Sequence, residues 1–196
     1  GFRLPAEWEP HAATWLSWPH NQETWPDRFE TIPPVFCAMV RALSLHEQVN
    51  ICVTDGDAAQ QVRGLLTQAD VDVSRVHLHK IPTNDAWARD HCPIFVTRQA
   101  AAQVAGQSDQ SGQSGQSGQS ELGLTDWVFN AWGGKYPPWD LDNAVPQHIA
   151  TQLGAARFEP GLVLEGGSID VNGCGTLLTT ESCLLHPSRN PGLSRV

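Results

Sequence analysis

Apolar and polar positions recur along this chain with two periods. In PVFCAMVRALSL (34–45), Val35, Met39 and Leu43, and then Ala38, Ala42 and Leu45, fall at helical spacing behind a Pro-Pro start suited to a first turn, which predicts a helix. VNICVT (49–54) is a short β-branched run and predicts a buried strand. DGD punctuates it, with Asp57 placed to cap a helix carrying Val62, Leu65 and Leu66. SRVHLHKI (74–81) and PIFVTRQ (93–99) predict further strands, and TDWVFNAWGG resumes strand-like alternation. LDNAVPQHIATQLGA (141–155) predicts a helix with a Gly stop and Pro146 near its start or at a kink. ARFEP, GLVLEGGSIDVNG and GTLLTTESCLL are strand signals, with NGCG (172–175) as a hairpin turn. Strands and helices in this mixed order predict an α/β architecture rather than a bundle or a sandwich.

One stretch breaks the pattern. Residues 106–121, GQSDQSGQSGQSGQSE, are a Gln-Ser-Gly tandem with almost no apolar content. Such a stretch does not offset the entropy of ordering its own backbone, so it is expected to be a flexible surface insertion between neighbouring strands of a single domain spanning 1–196.

Composition narrows the classes of function. The chain has 196 residues, 40% of them apolar, and 12 Lys plus Arg against 21 Asp plus Glu, a formal charge of −9. This argues against nucleic-acid binding through a basic surface and leaves room for a cationic small-molecule partner. No apolar run approaches the roughly 20 residues of a membrane span, and GFRLPAEWEP lacks the pattern of a secretory signal, so no membrane partner and a cytoplasmic location are expected. Five cysteines, at 37, 52, 92, 174 and 183, form no C-x-x-C pair and suggest neither a disulfide framework nor a zinc site. Tryptophan is the unusual residue: eight copies, four of them within residues 8–25. At this density Trp fills a core or walls a site for flat or cationic groups.

Three motifs carry candidate chemistry. In NDAWARDHCP (84–93), Asp90 is expected to face a pocket while Arg89 is held by a structural acid such as Asp85; Trp87 offers an electron-rich face for a guanidinium or amine. The same residues also suit a structural salt bridge beside a packed Trp. In LEGGS (164–168), Glu165 would project at a strand end, and Gly166 and Gly167 would let backbone approach a ligand closely, although a solvated Glu beside a Gly-Gly bulge fits the same letters. DWVFNAWGGKYPPWDLD (126–142) brings three Trp, a Tyr and a Gly-Gly hinge to a loop able to line a pocket. His77 and His79 share a strand face without an obvious third metal ligand.

Taken in order and spacing, PAEWEPHAATWLSWPHN (5–21), NDAWARDHCP, FNAWGGKY (129–136) and LEGGSIDVNGCGTLLTTESCLL (164–185) resemble the agmatine deiminase family, which is related to bacterial peptidyl-arginine deiminases. The resemblance implies a pentein-type α/β propeller of ββαβ modules, here incomplete, with about two and a half of five modules. It implies hydrolysis of agmatine to N-carbamoylputrescine and ammonia in putrescine biosynthesis, with no metal or organic cofactor. A cysteine thiolate attacks the guanidinium carbon, a His shuttles protons, and carboxylates grip the guanidinium nitrogens. By this resemblance Asp90 is a guanidinium-binding carboxylate, Trp87 a pocket wall, Glu165 the acid that binds substrate or orients the catalytic His, and Gly166 part of the substrate site.

The chain departs from the family where the nucleophile is concerned. Family members carry a His-x-Asp pair and a Gly-rich Cys segment beyond the point where these 196 residues end. Cys92 is the only cysteine with an acid/base neighbour, but it stands where the family usually has Gly, and adjacent residues of an extended segment point apart, so His91 and Cys92 are poorly placed as a pair. The expectation is an N-terminal portion of a deiminase, inactive alone, that associates with itself through uncovered propeller edges. A peptidyl-arginine deiminase and a catalytically incomplete amine-binding module remain as alternatives.

Overall fold

The computed structural model describes residues 1–99 and 120–195. Three strands, β1 (Ala13–Ser17), β2 (Gln48–Val53) and β3 (Val76–Lys80), form a parallel sheet in that order. The crossovers are α1 (Ile32–Ser44) and α2 (Gly56–Gln68). Along β2 the period of two divides the side chains. Val49, Ile51 and Val53 are buried against Cys37 and Val40 of α1 and Val62 and Leu66 of α2. Cys52 faces the other way, into a second core with Ile81, Leu124, Val145 and Ile149. A strand covered on both faces reads as a continuous apolar run, which is why VNICVT stands out in the sequence.

Helix starts follow local chemistry. Pro33 and Pro34 occupy the first positions of α1, where their missing N–H groups cost nothing. The cap of α2 is Asp55 rather than Asp57: its Oδ1 accepts from Ala58 N at 2.8 Å. Asp57 sits inside the first turn, too far along to reach back to the free amides.

After β3 comes a single turn, α3 (Ala88–His91), leading into β4 (Ile94–Gln99). β4 pairs antiparallel with β5 (Ser120–Thr125), and β5 pairs parallel with β6 (Ala156–Phe158). Ser120 and Glu121, assigned from sequence to the Gln-Ser-Gly insertion, are strand residues opposite Gln99 and Arg98. The rest of that insertion lies outside the described residues.

The strand expected at TDWVFNAWGG ends at Thr125. Beyond it only Val128 makes an isolated bridge, to Val163, and α4 (Ala131–Gly134) follows as one turn. All four α4 residues have positive φ, 50° at Ala131, 59° at Trp132, 86° at Gly133 and 79° at Gly134. Two glycines tolerate this readily; Ala131 and Trp132 do so at a cost.

α5 (Asp140–Leu153) buries Val145, Ile149 and Ala150 on the second core and stops at Gly154, φ 60°. Pro146 lies within it and leaves the Asp142 carbonyl without its intrahelical donor. β7 (Ile169–Val171) and β8 (Leu177–Thr179) form a two-stranded ribbon whose turn is held by Asn172 Oδ1, accepting from Cys174 N at 2.9 Å and Thr176 N at 3.1 Å. The strand expected to run on through Cys183 stops at Thr179, because Thr180 caps α6 (Glu181–Leu184), its Oγ1 accepting from Cys183 N at 3.2 Å. Among the described residues no helix is long and apolar enough to cross a membrane.

Candidate active site

α3 packs on the Gly166–Ser168 turn, and this contact joins the two acidic motifs. Gly167 N donates to Asp90 Oδ1 at 3.0 Å. A Cβ on Gly166 would overlap the Arg89 carbonyl oxygen, and one on Gly167 would overlap Asp90 Oδ1. Both glycines are therefore required for the close approach of the chain's own α3 turn.

Asp90 and Arg89 diverge as expected, though on a helical turn rather than an extended loop. Arg89 reaches outward to Glu7, not to Asp85. Asp85 instead accepts from Thr24 Oγ1 and, within its own loop, from Ala86 N at 2.7 Å. Burial pushes the Asp90 carboxyl up from its ordinary value, and the nearby Glu165 charge pushes the same way, while the Gly167 amide and the Trp132 indole oppose them. Glu165 is 2% exposed and accepts from Arg189 Nε at 2.6 Å. Asp90 and Glu165, distant in sequence, thus lie within electrostatic reach of one another.

An aromatic wall stands beside them. The Trp87 ring lies 5.9 Å from Trp25 and 6.0 Å from Trp132; Trp132 is 5.4 Å from Phe129 and 5.8 Å from Tyr136. Trp87 keeps 41% exposure. Of the three Trp in the 126–142 loop, Trp132 is the one that joins this wall, aimed there by the positive-φ turn of α4. Trp127 instead donates to Thr125 Oγ1 at 2.9 Å.

The loop carrying Trp87 is pinned from α5. Asp142 Oδ1 accepts from Asn84 N at 2.7 Å, while Asn84 Oδ1 accepts from Leu141 N at 2.9 Å and Asp142 N at 3.1 Å. Burial raises the Asp142 carboxyl to about 6. His91, also buried, is lowered to about 4 by burial. Its Nε2 lies 3.4 Å from Ser17 Oγ and 3.9 Å from Asp142 Oδ1, and among the described residues its Nδ1 has no hydrogen-bond partner.

Cys92 turns away from His91 to pack on the second core, where burial lifts its thiol well above the ordinary range. It cannot supply a thiolate near neutrality. Cys52 is pushed up to about 12 and Cys37 is also raised, both by burial. Cys174 is exposed in the ribbon turn, and Cys183 lies on α6. His79, the other paired histidine, stacks on Trp15 at 4.8 Å and meets Asn50 Oδ1 at 2.8 Å.

Arg189 and Asn190 were not singled out from sequence. Asn190 exchanges bonds with Val163, donating to its carbonyl and accepting from its amide, both at 2.9 Å, which fixes Arg189 against Glu165. Their only mark in the sequence is an Arg-Asn pair between two prolines.

With this geometry in place, comparison with known proteins decides the family. Residues 3–196 match the family model of the Porphyromonas-type peptidyl-arginine deiminases. The chain belongs to this family. It is 40% identical to the agmatine deiminase of Ectopseudomonas mendocina and 37% identical to that of Medicago truncatula, in both cases over all of this chain and 48% of the relative. Among solved structures, an agmatine deiminase of Enterococcus faecalis superposes with a TM-score of 0.79 at 34% identity, all of this chain covering 48% of that one. A cysteine-to-serine variant of C. jejuni agmatine deiminase, with substrate bound, gives 0.76 at 27%, all of this chain covering 50% of it. The chain spans about half the length of the curated deiminases it matches. The α/β architecture is that of these deiminases.

Proposed function

We propose that this chain forms the guanidinium-gripping wall of an agmatine deiminase, in a protein that hydrolyses agmatine to N-carbamoylputrescine and ammonia and so serves putrescine formation. The observation that carries this reading is the convergence of Asp90 and Glu165 beside the partly exposed Trp87. A guanidinium between two carboxylates is oriented by charge-assisted hydrogen bonds and kept cationic, which makes its carbon a better target for a thiolate. Trp87, braced by Trp25 and Trp132, packs along the substrate. Glu165 binds substrate or orients the catalytic His.

None of the five cysteines suits the attack. Cys37, Cys52 and Cys92 have burial-raised thiols, Cys174 sits in a ribbon turn and Cys183 on α6. The thiolate and the proton-shuttling His are assigned to residues outside this chain, in a pentein propeller of which these residues supply about two and a half of five modules. The relatives' greater length and the substrate-bound cysteine variant of the C. jejuni enzyme support this division. Association between copies through uncovered sheet edges belongs to the same reading.

Peptidyl-arginine deimination is the second reading, favoured by the name of the matching family. The test is product analysis with the protein as encoded in full: N-carbamoylputrescine and ammonia from agmatine, against citrulline from a blocked arginine peptide. A higher kcat/KM on agmatine supports the first reading, and a higher value on the peptide replaces it with the second.

A further inference from the structure

Two acids gathered in a largely buried place repel one another, and the expected result is that one of them takes up a proton. Here a third charged group lies among them. Arg189 Nε donates to Glu165 Oε1 at 2.6 Å, with the two side chains only 11% and 3% exposed. Arg189 is not free to wander. Its backbone amide donates to His186 O at 2.8 Å, and the following residue, Asn190, is 6% exposed and bonded to Val163 and to Leu184 O. The segment that carries the arginine is thus laced to the backbone two residues ahead of Glu165. Arg189 engages one Glu165 oxygen; among the described residues no hydrogen bond reaches Oε2.

We propose that Arg189 is a positioning residue of the deiminase site: it holds the Glu165 carboxyl group in place, with Oε2 turned to the substrate, so that Glu165 and Asp90 can act together on one guanidinium. This rests on the deiminase reading above for its consequence, but not for its geometry. The charged groups that face Glu165 are Arg189 on one side and Asp90 of α3 on the other. Arg89, on the same turn, is directed outward to Glu7, and His91 is directed to Ser17 and Asp142. His186 is bonded to Ser188 Oγ at 2.7 Å and is exposed. Arg189 is therefore the cation bonded to Glu165, while the Arg89 charge acts on Asp90.

The test compares wild type, Arg189→Gln and Arg189→Lys in the full protein. The Glu165 carboxyl is followed by 13C NMR of glutamate-labelled protein at one fixed pH, its resonance assigned by its loss in Glu165→Gln, while kcat and KM for agmatine are recorded in parallel. Loss of the Arg189 hydrogen bond should move the Glu165 resonance and lower kcat/KM by about tenfold or more in Arg189→Gln, whereas Arg189→Lys, which keeps the charge but not the fixed fork, should recover part of that loss. A Glu165 resonance unmoved in Arg189→Gln overturns the proposal, as do identical kcat/KM values for the Gln and Lys variants. Should Arg189→Gln fail to fold, Arg189→Lys decides: kcat falls, and an unchanged kcat overturns the pinning. The NMR measurement needs no turnover, so a failure of the deiminase reading leaves it standing as a test of the Arg189–Glu165 contact alone.

Discussion

Asn84 and Asp142 cap each other: the Asp142 carboxylate accepts from the Asn84 amide at 2.7 Å, and the Asn84 side chain accepts from the Asp142 amide at 3.1 Å. The pair ties the loop bearing Trp87 and Asp90 to the first turn of α5, so the position of the site depends on a helix start. Asn84→Ala removes the acceptor for two free amides of α5 and should cost about 1–2 kcal/mol, read from urea unfolding. A loss under a few tenths would show that the cap is idle.

Asp142 and His91 give a pH signature. Burial raises Asp142 from 3.8 to about 6, so the folded protein holds that proton more tightly than the unfolded chain; this contribution to stability is present below pH 3.8 and is lost as pH rises through 6. Burial lowers His91 from 6.5 to about 4, so its contribution is present above 6.5 and is lost as pH falls through 4. The two slopes oppose one another in wild type. Asp142→Asn removes the first, and its unfolding free energy should drop between pH 6.5 and 4 by about 2 kcal/mol more than that of wild type. Equal drops in denaturant titrations at the two pH values would contradict the assignment.

Gly166 tests the packing of α3 on the LEGGS turn. A methyl there meets the Arg89 carbonyl, a backbone atom that cannot rotate away. Gly166→Ala should destabilise by about 1–3 kcal/mol in urea unfolding and lower agmatine affinity by displacing Asp90. Full stability in the variant would mean that the two elements are not in contact.

Thiol labelling separates the cysteines. Cys174 is exposed and should react first with a thiol reagent at pH 8, whereas Cys92, with its raised thiol, should label only on unfolding. Rapid native labelling of Cys92, mapped by peptide mass spectrometry, would reopen it as a nucleophile.

Much of the scaffold was legible because burial on both faces and helical amphipathicity leave plain periodic marks, as in β2 and α1. What escaped was set by geometry between distant segments. Alternation in DWVFN looked like a strand, but α4 breaks it with a positive-φ turn that no apolar pattern announces. The Cys183 region read as apolar strand because Leu177 and Leu178 precede it and Leu184 and Leu185 follow it, whereas the polar run Thr179, Thr180, Glu181 and Ser182 between them holds the helix cap. Asp90, Trp87, Glu165 and Gly166 stand out because they sit in dense motifs, and the structure brings those motifs together. Arg189 was missed because its partner lies in another motif and nothing near it in sequence marks the pairing.

Whether Asp90 grips the guanidinium together with Glu165 is read from kcat/KM for agmatine in the full protein and its Asp90→Asn variant. Glu121→Gln, which removes a carboxylate paired with Arg98 on exposed strands, serves as the control. Neutralising one member of a buried charge pair costs several kcal/mol, so Asp90→Asn should lower kcat/KM by about 10²-fold or more while the control stays within about twofold. Asp90→Asn retaining wild-type kcat/KM would contradict the claim.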